Sequence, residues 1–211
     1  IEVNISQGAV TGRGESVPYG RYGETVLETI QTIKAQAPAI GAGMGREELS
    51  EVLEPGAARN AIDCALWDLE AKMSGQRVWE LAGLPRPRPL VTAFTLSVDS
   101  PAALSRAARE HRERPLLKLK LAGDGADLER VQAVHQAAPK ADLWIDANEG
   151  LNMDDCRAMA PVLGQLGVRV FEQPLPAGGD DELLSFDCEV PLCADESFWG
   201  GVESVQALSS A

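Results

Sequence analysis

Apolar and polar residues alternate over residues 1–6, a Gln7-Gly8 turn follows, and residues 9–15 can return beside them, which predicts a two-stranded hairpin. The period then lengthens. Thr25, with Glu28 three residues on, reads as the cap of a helix over 25–36, and the glycine-rich stretch 41–45 breaks it before a short helix over 46–53. Between residues 57 and 73, Ala58, Ile62, Ala65, Leu66, Leu69 and Met73 recur at helical spacing, and Ser74-Gly75 stops the run before one further turn over 78–82.

The stiff segment Pro85-Arg86-Pro87-Arg88-Pro89 reads as a connection between domains, so an α+β domain over 1–88 and a second domain over 89–211 are expected. The second half has a regular pattern. Strands are predicted at 91–98, 116–122, 142–147, 168–173 and 190–195. Between them fall helices from the Ser100 cap to 113, over 127–138 and over 154–166, then a short one at 181–184, with a partial helix after Gly201. Pro161 falls inside the helix over 154–166 and predicts either a kink or a later start. Strand and helix alternating in this way predict an α/β fold: a partial (β/α) barrel of the TIM type, about five of eight strands present. The chain opens without Met and inside a strand pattern, and it stops where a sixth strand would begin. Both domains are therefore expected to be incomplete, unless a swapped partner supplies what the barrel lacks.

Chemistry enters where the apolar rule breaks periodically. Lys118 and Lys120 stand two apart in Leu116-Leu117-Lys118-Leu119-Lys120-Leu121, so on a strand both ammonium groups face one side. The next strand patterns end on Asp146, Glu172 and Asp195, at successive intervals of 26, 26 and 23 residues counted from Lys120, each about one strand, one crossover helix and two loops. Such a repeat gathers strand ends at one rim. Three carboxylates brought together there repel one another unless a cation lies between them, so Asp146, Glu172 and Asp195 read as ligands of a divalent ion. An all-oxygen set without His or Cys favours Mg²⁺ over Zn²⁺, with Mn²⁺ able to substitute. Singly, each acid is an ordinary helix cap and the lysine pair an ordinary solvated strand face. The shared period carries the inference.

Composition narrows the partners. A net charge of −13 argues against nucleic acid and anionic membranes, both of which need a basic surface. No apolar run approaches the roughly 20 residues of a membrane span. Four cysteines without a C-x-x-C pair suggest neither a disulfide framework nor a zinc site, so a reducing, cytoplasmic setting is expected.

The set Lys118-Leu119-Lys120, Asp146-Ala147-Asn148, Glu172-Gln173-Pro174 and Ala194-Asp195-Glu196-Ser197 resembles the enolase superfamily in its muconate-lactonizing branch, most closely the dipeptide epimerases acting on Ala-Glu. The likeness extends over nearly the whole chain, with residues 58–69 resembling the helical part of a capping domain. It implies an Mg²⁺-dependent isomerase that abstracts the alpha proton of a small carboxylate or dipeptide. Lys120 would be the base, Lys118 its electrostatic partner near the substrate carboxylate, and Asn148 a support behind the metal ligands. It also implies a second lysine on a sixth strand, and this sequence has no lysine after Lys140. Substrate choice would rest on Tyr19-Gly20-Arg21-Tyr22, where Arg21 suits a Glu side chain, although a plain pair with Glu24 and tyrosines packing a flap is the rival reading. Cycloisomerase, o-succinylbenzoate synthase and N-acylamino acid racemase are the alternatives within the superfamily. Outside it stands a non-catalytic metal-binding fragment. A homo-oligomer is compatible with all of these.

Overall fold

Two glycines decide how the first hairpin packs. Strand β1 (Glu2–Gln7) pairs antiparallel with β2 (Val10–Glu15), and a side chain at Gly12 or Gly14 would run into the Ala65 and Ala61 carbonyls of a helix lying across them. That helix is third in the order α1 (Val26–Gly41), α2 (Arg46–Val52), α3 (Ala57–Ser74) and α4 (Val78–Leu81). The computed structural model describes residues 1–199 and divides after Pro89 into two units.

In the first unit, Ala57, Ala61, Ile62, Ala65 and Leu69 form the buried face of α3, whereas Met73, expected on it, is half exposed. Lys72 fastens the hairpin from outside by donating to the Thr11 carbonyl at 2.8 Å and to Asp68, which also accepts from the Arg13 amide. Thr25 caps α1 as its sequence predicts, accepting from the Glu28 amide. The helix then runs five residues past its expected end and through Pro38. Lys34, whose carbonyl Pro38 leaves without a helical donor, is exposed on the same face, so water can satisfy it.

The second unit is a parallel sheet in sequential order: β3 (Phe94–Leu96), β4 (Leu116–Lys120), β5 (Asp142–Asp146), β6 (Val170–Glu172) and β7 (Leu192–Cys193). Helices α5 (Pro101–Glu110), α6 (Asp127–Ala137) and α7 (Met153–Gln165) connect them. The alternation read from the sequence is therefore present, with shorter strands. Expected strand 91–98 shrinks to the three residues that find ladder partners in β4, with Leu90 and Val91 exposed. Pro191, which has no N–H to donate, precedes a two-residue β7. Helix α7 starts earlier than predicted, on an Asn152 cap, and passes Pro161 without ending. Arg157, whose carbonyl loses its donor, and Pro161 both face solvent. The helix expected after Gly201 lies outside the described residues.

One face of this sheet carries Leu117, Leu119, Leu143, Ile145 and Phe171, each at most 1% exposed, packed with Leu104, Val131, Val134, Cys156 and Leu163 of the helices. The other face carries Lys118, Lys120, Asp146 and Glu172. Period two makes the division.

A buried cation secures the loop beyond β4. Arg130 on α6 donates to the Asp99 carbonyl at 2.9 Å and pairs with Asp124 and Asp127, while Asp127 accepts from the amides of Ala122 and Gly123. The Arg130 hydrogen bonds hold Asp124 at a pKa of about 2, below the roughly 3.9 of a free Asp. A depressed folded-state value stabilises above the unfolded pKa, and that contribution is lost as pH falls through the folded one. Thermal melts between pH 5 and about 2 should therefore show Asp124→Asn with a shallower loss of stability than the parent. Parallel curves would remove Asp124 from the acid transition.

Candidate metal and proton-transfer site

Strand register builds the site. Lys120, Asp146, Glu172 and Cys193 are consecutive ladder partners in the last row of the sheet, and Lys118, Trp144 and Val170 occupy the row two residues back that faces the same way. Side chains in one row of a parallel sheet point the same way, so the amines and two acids meet on the face away from the helices. Asp195 arrives from the turn just after β7. Asp146, Glu172 and Asp195 offer carboxylate oxygens that all lie within 4.8 Å of one another, the first two buried and the third exposed.

Two ammonium groups sit against this cluster. Lys118 Nζ lies 2.9 Å from Asp146 Oδ2 and 2.7 Å from Glu172 Oε2, and Lys120 Nζ lies 2.7 Å from the same Asp146 oxygen. Burial opposes the charge on Asp146, but donors from Lys120, Lys118 and the Asn148 amide outweigh it and hold the carboxyl below its ordinary range. Burial likewise works against the Lys118 ammonium, and its bonds to Glu172 and Asp146 reverse the sign and hold it above the usual lysine value. Asp195 lacks such donors, and burial with repulsion from Glu196, Glu172 and Asp146 raises it.

Other expected residues lie as follows. Asn148 donates its backbone N–H to Asp146 Oδ1 at 2.9 Å and its side-chain amide to Glu196 at 3.2 Å. Glu149 accepts from the Ala177 amide, bracing the loop after β6. Arg21 and Tyr22 lie in a short 3₁₀ turn of the first unit, where the guanidinium is 5.8 Å from the Tyr22 ring centre and Tyr19 meets Tyr22 edge-on. Glu24 accepts from the amides of Tyr19 and Ala57, capping α3.

Two participants escaped the sequence reading. Trp144 donates its indole N–H to Glu172 Oε2 at 2.5 Å, and its signal was available: two residues before Asp146 on one strand, it must share that face. Gln173 is 1% exposed, and its side-chain amide reaches Leu175 in its own loop and Asp195 and Ser197 after β7. Backbone there departs from ordinary strand geometry, with φ of 42° at Asn148, 66° at Glu149 and 32° at Gln173. Non-glycine residues in that region cost about 1–3 kcal/mol each and cluster at functional rims.

The residues fit a small hard cation. Three carboxylates, no nitrogen or sulfur donor among them, converge from three successive strand ends, the oxygen-only set that magnesium accepts. Against two ammonium groups they leave one negative charge uncompensated. A divalent ion reverses that sign, and one substrate carboxylate then brings the group to neutrality.

Comparison with known proteins gives the same picture. Residues 1–83 match the mandelate racemase / muconate lactonizing enzyme N-terminal domain, and residues 102–211 match the enolase C-terminal domain-like family. The chain is 39% identical over 199 residues to the L-Ala-D/L-Glu epimerase of Escherichia coli K12 and 40% identical over 200 residues to the N-acetyl-D-glutamate racemase of a Pseudoalteromonas species. Each match covers 93% of this chain, and the chain spans 62% of either relative. Among solved structures, an enolase family member from Agrobacterium tumefaciens with bound sodium and L-Ala-L-Glu superposes with a TM-score of 0.90 at 43% identity, covering 99% of this chain and 63% of that one. The dipeptide epimerase of Methylococcus capsulatus with Mg and L-Arg-D-Lys gives 0.86 at 29% identity and the same coverages.

Proposed function

The chain belongs to the mandelate racemase / muconate lactonizing enzyme family of the enolase superfamily, and from that premise we propose that it serves a magnesium-dependent epimerase of Ala-Glu and related dipeptides. The observation that carries the proposal is the convergence of Asp146, Glu172 and Asp195 beside the amines of Lys118 and Lys120. Asp146, Glu172 and Asp195 would hold magnesium, which would supply a fixed positive charge opposite the second negative charge that develops on a carboxylate losing its alpha proton.

The remaining work falls to the protein. Lys118, anchored by both buried acids, presents an ammonium to the substrate carboxylate. Lys120, tied to Asp146 alone, takes the alpha proton onto Nζ as a free amine. Removal and return on the same face exchanges the proton with solvent. Inversion needs an acid on the opposite face. We assign Arg21, with Tyr19 and Tyr22, to recognition of the Glu side-chain carboxylate, since a guanidinium fork matches that group. A cytoplasmic setting belongs to this reading, in which all four cysteines are free thiols. Among the described residues no helix is long and apolar enough to cross a membrane.

A library of dipeptides incubated with the intact protein and Mg²⁺ in deuterated water tests the proposal, with alpha deuteration read by mass spectrometry. Ala-Glu should exchange, and Arg21→Met should raise KM for Ala-Glu about tenfold or more while leaving an uncharged dipeptide little changed. Similarity to an N-acetyl-D-glutamate racemase favours a second reading, exchange of N-acylated glutamate. Exchange of that acid with no dipeptide turned over would select it.

A further inference from the structure

The third carboxylate has no strand to hold it. Register between β6 and β7 ends at the Glu172–Cys193 pair, and Asp195 lies two residues further on with φ −125° and ψ −79°, exposed and facing the other two acids. Repulsion from these neighbours favours an outward swing. A buried amide opposes it.

Gln173 Oε1 accepts from the backbone N–H of Asp195 at 3.0 Å and of Ser197 at 3.1 Å. Its Nε2 donates to the Leu175 carbonyl and the Ser197 hydroxyl, both at 2.9 Å. Only this orientation works, because a flipped amide would set its NH₂ against two N–H donors and its oxygen against a carbonyl. The main chain of the same residue donates to the Cys193 carbonyl and accepts from the Glu149 amide, so residue 173 joins the loops after β5, β6 and β7. Its φ of 32° places the side chain there at a local cost.

We infer that Gln173 is the positioning residue of the metal site: it fixes Asp195 within reach of Asp146 and Glu172 through the Asp195 and Ser197 amides. The inference rests on the proposal that these three acids hold a divalent cation. Glu172 and Gln173, adjacent in sequence, divide the task, one supplying an oxygen to the ion and the other locating the last ligand.

Titration calorimetry of the intact protein with Mg²⁺, repeated with Mn²⁺ under electron paramagnetic resonance, reads the effect directly. Gln173→Glu keeps size but replaces the NH₂ with an oxygen that faces the Leu175 carbonyl, so repulsion there drives Oε1 from its place beneath the Asp195 and Ser197 amides. Affinity should fall about 10- to 100-fold, the usual cost of losing a group that orients a ligand. Val134→Ala, in the buried face of α6 and away from the acids, is the control: it should lower the melting temperature yet leave affinity within about twofold. Should Gln173→Glu fail to fold by circular dichroism, Ser197→Ala removes a single partner of the amide and should weaken Mg²⁺ binding a few-fold. Equal affinity in parent and folded variant, or an equal loss in Val134→Ala, overturns the inference and spares the metal site. No Mg²⁺ or Mn²⁺ binding by the parent overturns both.

Discussion

Lys120→Ala is expected to slow alpha-proton exchange at one face of the substrate by about 10²- to 10⁴-fold, the range of a well-placed general base. The two lysines are not equivalent. Lys118 is bonded to both buried acids, and its side chain is 21% exposed against 31% for Lys120, which contacts Asp146 alone. A base must give up its carboxylate partner and reach a bound molecule, and Lys120 has less to give up. Lys118→Met should accordingly raise KM as well as lower kcat, since it removes a charge facing the substrate. Lys120→Ala should act on kcat with Mg²⁺ affinity little changed, because the three acids remain. Stereospecific exchange, followed by proton NMR on each epimer separately, decides it. Undiminished exchange from both epimers in Lys120→Ala would assign the base elsewhere.

Why some of this site could be read from the sequence, and some could not, follows from which forces place each residue. Lys118, Lys120, Asp146 and Glu172 are set by period two and by ladder register, both local consequences of chain chemistry, and an interval of 26 residues is enough to stack them. Asp195 ends the same pattern in the sequence, but its position depends on a side chain 22 residues away. A glutamine in a Glu-Gln-Pro run has no periodic signature. Its importance comes from burial and from four hydrogen-bond partners that only the folded loops bring together. The strand ends were overestimated for a similar reason: Val91 looks like a strand residue, but a ladder needs a partner, and β3 finds one in β4 only from Phe94 to Leu96, while β7 follows Pro191, which cannot donate. One helix end was underestimated: α1 runs on through Pro38 to Gly41, and the Lys34 carbonyl that loses its donor lies on an exposed face where water can replace it.

Asp146→Ala should have the largest effect on the protein as a whole, because its carboxylate serves two purposes whose signs can be separated. As a ligand it supplies a buried oxygen to the cation, so Mg²⁺ affinity and exchange should both be lost. As an ion-pair partner it is fully buried and neutralises Lys118 and Lys120 through one oxygen, while its other oxygen accepts from the Asn148 amide. Removing it leaves Lys120 without its acid and Lys118 with Glu172 alone. Breaking such a buried pair costs about 3–5 kcal/mol. Asp195→Ala offers the contrast: it too should abolish tight Mg²⁺ binding, but its carboxylate is exposed and repelled by its neighbours, so removing it should leave stability unchanged or slightly raised. Urea unfolding and calorimetry on the two variants give a two-by-two outcome, with shared loss of metal and a lowered unfolding midpoint in Asp146→Ala alone. Were Asp195→Ala to bind Mg²⁺ like the parent, the trio would reduce to an ion-pair cluster of two acids and two lysines, and Gln173 would have no ligand to place. Were Asp146→Ala as stable as the parent, the two ammonium groups must find solvent or lose their protons on their own, and the argument for Lys118 as a held charge would fail with it.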